Sequence, residues 1–309
     1  MLKFIIKRIV QSLLTIIIAI FFITTITFFL FEIIPGDVYD LDHIKSETII
    51  VNLEKKYGLN EPVLVRYKNT LINTYTFDFG NSYINEGRSV NEIIADHFPI
   101  SLTIGCCVLG LSLLSGILIG NKMSKITNKK SRFKYVFCFV FLTSIPTFVL
   151  GILLQYFLCV KLKLFPVTST SIGGYFIPIV VLSITPTVFI ARIIEKRLKE
   201  VRNSDYVISA MVHGVNEKTI FRHYILKNSI SPVISYLAPV SANLIVGSFV
   251  IESIFNISGL GRFFITSVSN RDYPVVMGLT VFFSIVLIGI SSLSNIIVSI
   301  IDYRGDIHE

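Results

Sequence analysis

Side chains able to do covalent chemistry are sparse in this sequence. No G-x-x-x-x-G-K-[ST] run is present to cradle nucleotide phosphates, no H-E-x-x-H pair to hold zinc, and no G-x-S-x-G turn to present a nucleophilic serine. His43 and His97 stand apart without paired ligand spacing and read as ordinary histidines rather than a metal site. Cys106, Cys107, Cys138 and Cys159 have no C-x-x-C spacing and no neighbouring histidine. They read as small apolar residues packed among helices, with no disulfide framework implied. Within the apolar segments the main ionisable candidate is Glu252. An ion-coupled carrier relays its coupling ion through buried acids, histidines or lysines, and one carboxylate makes a thin relay. The plainer reading puts Glu252 near an interface or capping the following loop. No catalytic residue, metal or cofactor is expected of this chain.

The elements around these residues are those of a membrane protein. Of the 309 residues 52% are hydrophobic and 16% charged, and the mean hydropathy is +0.72, far above that of a soluble domain. Apolar runs near or above the length that crosses about 30 Å of hydrocarbon lie at about 9–31, 100–119, 135–160, 176–190, 233–255 and 276–300, giving six expected spans. The expected fold class is therefore all-α, a six-helix membrane protein. Tyr and Phe anchor the interfaces in place of the absent Trp. Lys3, Lys7 and Arg8 precede the first run as in a signal peptide, but Ile9–Phe31 exceeds a signal core and no small-x-small site follows, so it reads as a retained span. Gly and Ser in the second span suit close helix approach, and Pro146 is expected to kink the third.

Charge sets the expected sidedness. The net charge of +8 comes from loops and not from a nucleic-acid surface, so no nucleic-acid partner is expected. Lys122, Lys125, Lys129, Lys130, Arg132 and Lys134 crowd one short connection without an acid, which the positive-inside rule puts in the cytoplasm. Both termini fall on the same side. Glu32–Phe98 carries more acids than bases and reads as a small external subdomain between the first and second spans, with a helix capped at Ser46.

The stretch from Arg192 to Asn228 is the most informative. It interrupts two spans, is rich in Lys and Arg, and yet keeps helical apolar spacing. Asn203 and Ser204 are good caps beside Asp205, and Val207, Ala210, Met211 and Gly214 then fall at i, i+3, i+4 and i+7 on one narrow face. Gly214 either ends this helix in a left-handed cap or admits a close backbone. Asn216 caps a second helix with Ile220, Phe221, Tyr224 and Ile225 opposite Lys218, Arg222, His223 and Lys227. Two short helices hinged at a glycine suit a knob entering a partner's cleft, or a basic amphipathic pair lying on anionic membrane lipid. Periodicity leaves both open.

The residues here resemble the cytoplasmic EAA loop of ABC-importer permeases, with Gly214 at the motif glycine and Ala210 at its second alanine; Ile208 and Ser209 replace the glutamate and first alanine. The resemblance is closer to the B-type dipeptide, oligopeptide and nickel branch, whose pattern is matched by Asp205, Tyr206, Val207, Ala210, Gly214, His223, Leu226, Asn228 and Pro232. It extends over nearly the whole chain. IPGD at Ile34–Asp37, KYGLNEPVLVRY ending at Tyr67 and DFGNSY at Asp78–Tyr83 are similar to that branch's external region. Glu252, Phe255, Gly259, Leu260 and Gly261 of ESIFNISGLGR, then Asp272, Tyr273 and Pro274 of RDYPVVMG, resemble its outer-loop motif, and DYR at Asp302–Arg304 stands for its DPR. Departures are Ser258 in place of a proline and His213 in place of a lysine.

The resemblance implies a type I ABC importer permease fold. Residues 1–94 would form the first helix and external subdomain, 95–303 the permease domain and 304–309 a cytoplasmic tail. It implies a non-catalytic subunit in a bacterial cytoplasmic membrane that translocates di- or oligopeptides, or nickel or metal chelates. Its partners would be a homologous second permease, two ATP-binding subunits that hold ATP and magnesium, and an external solute-binding protein. An ion-coupled carrier or channel with a lipid-binding loop is the alternative.

Overall fold

The computed structural model describes residues 2–33, 60–85, 87–167, 172–216, 219–220, 229 and 231–302. Ile34–Asp37, His43, the cap at Ser46, Lys218, the second loop helix beyond Ile220 with His223 and Asn228, and the tail at 304–309 lie outside the described residues. Helix α1 spans Leu2–Ile33, α2 Val63–Tyr75 and α3 Val90–Ser124. Helix α4, Lys129–Ser144, is followed by α5, Thr147–Leu154, which runs on as a π-helical segment Gln155–Lys161. Then come α6 (Phe176–Arg202), α7 (Asp205–Val212), α8 (Ser231–Val246), α9 (Phe249–Ile254), α10 (Leu260–Ser269) and α11 (Tyr273–Asp302).

Among the described residues five helical stretches are long and apolar enough to cross a membrane, one of them Pro232–Ile254 over α8 and α9, and the bent pair of α4 with α5 and its π-helical continuation brings the number to six when it is counted as one span. The bend is 93°, more than a kink. Ile145, forced out of the helical region by the following proline, is extended at φ −86° and ψ 126°. Pro146 then starts α5 as its N-cap. Helix α3 begins well before the expected Ile100 because Ser89 and Glu92 form a capping box: the Glu92 N–H donates to Ser89 Oγ at 3.2 Å and the Ser89 N–H to Glu92 Oε2 at 3.1 Å. The expected fifth span is broken at Gly247, whose φ of +108° separates α8 from α9. The segment after Phe255, expected as an outer loop, contains α10: Gly259 is its N-cap, and Leu260 and Ser267 give it a buried stripe. Cys106, Cys107 and Cys138 are exposed on their helices, not packed among them as expected; Cys159 alone is buried.

By contact the chain forms two compact units, Met1–Ser101 with Ser258–Gly289, and Leu102–Ile257 with Ile290–Glu309. In the first, α2 lies against the C-terminal half of α1. Thr25 Oγ1 and the Tyr67 hydroxyl are 2.8 Å apart, the Tyr75 hydroxyl donates to the Ile17 carbonyl at 3.1 Å, and Arg66 pairs with Glu32 at 3.1 Å. In the second, α3 meets α6 through glycines one helical turn apart. A Cβ at Gly116 would lie 2.6 Å from Ile190 Cγ2, and one at Gly120 would lie 2.6 Å from the Ala191 carbonyl oxygen. Only hydrogen fits there, the close approach that small residues give membrane helices. Beyond this contact Ile190, Ile194, Leu198 and Val201 form the buried stripe of α6.

Candidate functional site

Helix α7 is anchored to that stripe. Val207 is fully buried and Ala210 nearly so, and they share a core with Leu198, Val201, Ile220 and Val233. Ser204 occupies the expected N-cap, but its hydroxyl turns back to the Val201 carbonyl at 2.6 Å instead of capping α7, and Asn203 is the C-cap of α6. Asp205, at the first turn, lies where the helix dipole favours an acid.

The helix ends at Val212 in a Schellman motif. Gly214 has φ +73°, its N–H donates to the Met211 carbonyl at 3.0 Å, and the Val215 N–H donates to the Ala210 carbonyl at 3.2 Å. Val215 folds back onto the core that holds Ala210. A Cβ at Gly214 would meet nothing within 4 Å, so of the two roles open to this glycine the structure selects the left-handed cap. The four-residue face expected from Val207 to Gly214 therefore stops short: Val207 and Ala210 point inward, whereas Met211 is 45% exposed and Gly214 lies past the helix.

Tyr206, Ile208, Met211 and Val212 are exposed, Val212 at 80%, and so are the polar Asp205 and Ser209. This short helix thus has a buried apolar side used within the chain and an exposed side on which apolar residues stand among polar ones. His213 hydrogen bonds through Nδ1 to the Ser209 carbonyl at 2.7 Å, inside the helix end. Pro232 sits in the first turn of α8, where its missing N–H costs nothing.

Earlier on α6 lies a charged cluster that was not legible as a unit in the sequence. Glu195 is buried on α6, and its Oε1 accepts from Lys199 Nζ at 2.7 Å and pairs with Arg132 Nε at 3.0 Å. One carboxylate thereby ties the basic 125–134 connection to α6. The i, i+4 spacing to Lys199 was visible; the Arg132 partner was not.

The outer-loop residues divide between the units. Glu252 and Phe255 are buried at 1%, and the Glu252 carbonyl accepts from the Ile257 N–H at 2.8 Å. That backbone contact stops the turn after α9, while the side chain is not at an exposed interface. In the other unit, Leu260 of the Gly259–Leu260–Gly261 run is fully buried, and its N–H donates to Ser101 Oγ at 3.0 Å.

Asp272 joins two motifs far apart in sequence: Ser82 Oγ donates to its Oδ2 at 2.5 Å and the Tyr83 N–H to its Oδ1 at 3.0 Å. Tyr273 stacks on Phe31 with ring centroids 4.5 Å apart. Pro274, with Tyr273 and Gly278, borders a cavity of about 550 Å³ closed by α1, α2 and the 78–83 turn. The His97 Nδ1–H donates to the Ser258 carbonyl at 2.7 Å, and the ring lies against Phe263. Among the described residues no three His, Cys, Asp or Glu side chains converge as metal ligands.

A family model described as "Binding-protein-dependent transport system inner membrane component" matches residues 112–304, and its N-terminal companion matches residues 1–105. A dipeptide transport system permease protein of Bacillus subtilis is 35% identical over 100% of this chain and 99% of its own. An oligopeptide transport system permease protein of Haemophilus influenzae is 32% identical, covering 98% of each. A solved structure of an amino acid ABC transporter with histidines superposes with a TM-score of 0.52 at 16% identity, over 67% of this chain and 93% of that one. This last likeness concerns the helical fold alone.

Proposed function

Because the chain belongs to the family of binding-protein-dependent transport system inner membrane components, we propose that it is one of two related permease subunits of an ATP-driven importer of di- and oligopeptides. Full-length similarity to dipeptide and oligopeptide permeases supports a peptide cargo over nickel or metal chelates. Membership of a transport family driven from outside the permease also favours this reading over an ion-coupled carrier.

The observation that carries the coupling role is α7. Val207 and Ala210 fix it to the α6 stripe, the Gly214 cap ends it sharply, and Ile208, Met211 and Val212 are exposed on the other side. A rigid helix with one anchored and one exposed face transmits a push without melting. In this reading two ATP-binding partner subunits hold ATP and magnesium, receive α7, and close on nucleotide. The helices attached to α6 then rock between outward and inward openings toward an external solute-binding protein. This chain guides cargo and catalyses no covalent step. Both termini and the α7 segment lie in the cytoplasm, where the Lys- and Arg-rich connections belong.

The test is uptake in cells lacking this chain, restored from a plasmid and supplied with labelled dipeptide, labelled tetrapeptide or nickel. ATP-dependent accumulation of peptide with copurification of an ATPase is expected. Accumulation of nickel alone would overturn the peptide assignment, and uptake with no associated ATPase would overturn the importer itself.

A further inference from the structure

Where α4 begins beside α6 the second unit holds a cavity of about 480 Å³, lined by Met123, Arg132, Val136, Arg192, Glu195, Lys196, Lys199 and Glu200. Four of these residues are cations and two are carboxylates, so an excess of positive charge faces one space of small-molecule size. Its geometry is built. Glu195, with a side chain only 7% exposed, holds Arg132 and Lys199 by one oxygen, and Arg192 lies 6.0 Å over the Phe139 ring. Lys196 is different: its side chain is 82% exposed and its nearest acid, Glu200, is 3.9 Å away.

A bare apolar stripe starts at the mouth of this cavity. Phe133, Phe137, Val140 and Phe141 of α4 are 68%, 62%, 49% and 57% exposed, and the Phe133 and Phe137 rings stack with centroids 6.2 Å apart. They follow Arg132 directly, on a helix that belongs to the bent membrane-spanning pair. A ligand matching both parts carries an anionic phosphate and a hydrocarbon tail on the same molecule. We propose that the Arg132, Arg192, Lys196 and Lys199 cavity binds the phosphate headgroup of an anionic phospholipid whose acyl chains lie along Phe133, Phe137 and Phe141. A free anion would use the cations but has no use for the stripe; a neutral lipid would use the stripe and leave the charge excess uncompensated. Basic pockets between helices at a membrane face suit such headgroups.

The chain contains no Trp, so Phe133→Trp introduces a single indole at the mouth, and Phe137→Trp serves as a second reporter should the first not fold. The full chain is reconstituted in phosphatidylcholine vesicles containing a minor fraction of phosphatidylglycerol, with brominated, quenching chains on one lipid or the other. Stronger quenching by brominated phosphatidylglycerol than its bulk fraction accounts for is expected. Lys196→Gln should lower that preference about fivefold, and Lys134→Gln, an exposed cation of α4 outside the cavity lining, by less than about twofold. Equal quenching by both lipids overturns the proposal. So does an equal loss from Lys134→Gln, which would mean diffuse surface charge. Displacement of phosphatidylglycerol by inorganic phosphate would assign the cavity to a free anion instead.

Discussion

Asp272→Ala removes the acceptor that holds the 80–89 turn onto the start of α11. Two hydrogen bonds are lost, from Ser82 Oγ at 2.5 Å and from the Tyr83 N–H at 3.0 Å, in a site where Ser82 is 0% and Asp272 1% exposed. Hydrogen bonds to a charged acceptor are worth about 1.5–3 kcal/mol each. Partial replacement by water leaves a net loss of about 3 kcal/mol, concentrated in one turn rather than spread over the unit.

Arg88 reports on that turn. Its carbonyl accepts from the Ser82 N–H at 3.0 Å and its side chain pairs with Asp96, so trypsin reaches the bond after Arg88 chiefly when the turn opens. When reclosing outruns cleavage, the rate follows the open population, and about 3 kcal/mol becomes about a hundredfold faster cutting. Limited proteolysis of the purified full chain, with fragments quantified by mass spectrometry, measures this. Cleavage at Lys125 and Lys129, in the other unit, serves as the internal reference and should not change. Asp272→Asn keeps one acceptor oxygen for Tyr83 and should accelerate cutting by less than about tenfold. A rate at Arg88 within about twofold of the parent in Asp272→Ala would refute the assignment of Asp272 as the clasp.

Gly120→Leu forces a side chain into the Ala191 carbonyl 2.6 Å from its Cβ position and Ile194 Cβ at 2.8 Å. It should cost at least about 2–3 kcal/mol, read as a lower midpoint in thermal unfolding in detergent. Gly110→Leu, with nothing within 4 Å, should change stability by less than about 1 kcal/mol. Glu195→Gln removes the charge shared by Arg132 and Lys199, whose side chains are 54% and 35% exposed. Solvent screening limits the loss to about 1 kcal/mol, and a double-mutant cycle with Arg132→Gln should return a coupling of that size.

Much of the fold was legible because the bilayer imposes a length and the loops carry charge. Every apolar run expected as a span is mostly helical in the described residues, with breaks at Pro146 in the third and Gly247 in the fifth. Local signals account for what was underestimated. Ser89-x-x-Glu92 is a readable capping box that moves the start of α3, and Gly259 followed by Leu260 and Ser267 announces an amphipathic helix where a loop was expected. The site was half legible. Val207, Ala210 and Gly214 emerged from spacing, but whether Gly214 shared the face of Val207 and Ala210 depended on where the helix stopped, which the Schellman bonds at Gly214 and Val215 decide. The Asp272–Ser82 clasp and the Arg132–Glu195 pair join positions that no period links, so only the folded chain brings them together.

The free face of α7 is the most direct place to test coupling. Ile208→Asp combined with Val212→Asp puts two charges on residues 48% and 80% exposed, leaving Val207 and Ala210 seated, so the chain should insert and fold at the parent level. Measured together in membrane vesicles, ATP-driven peptide uptake and the amount of ATPase that copurifies should both fall about tenfold or more. Parent-level uptake with the ATPase still bound to this double variant would contradict the coupling role of α7.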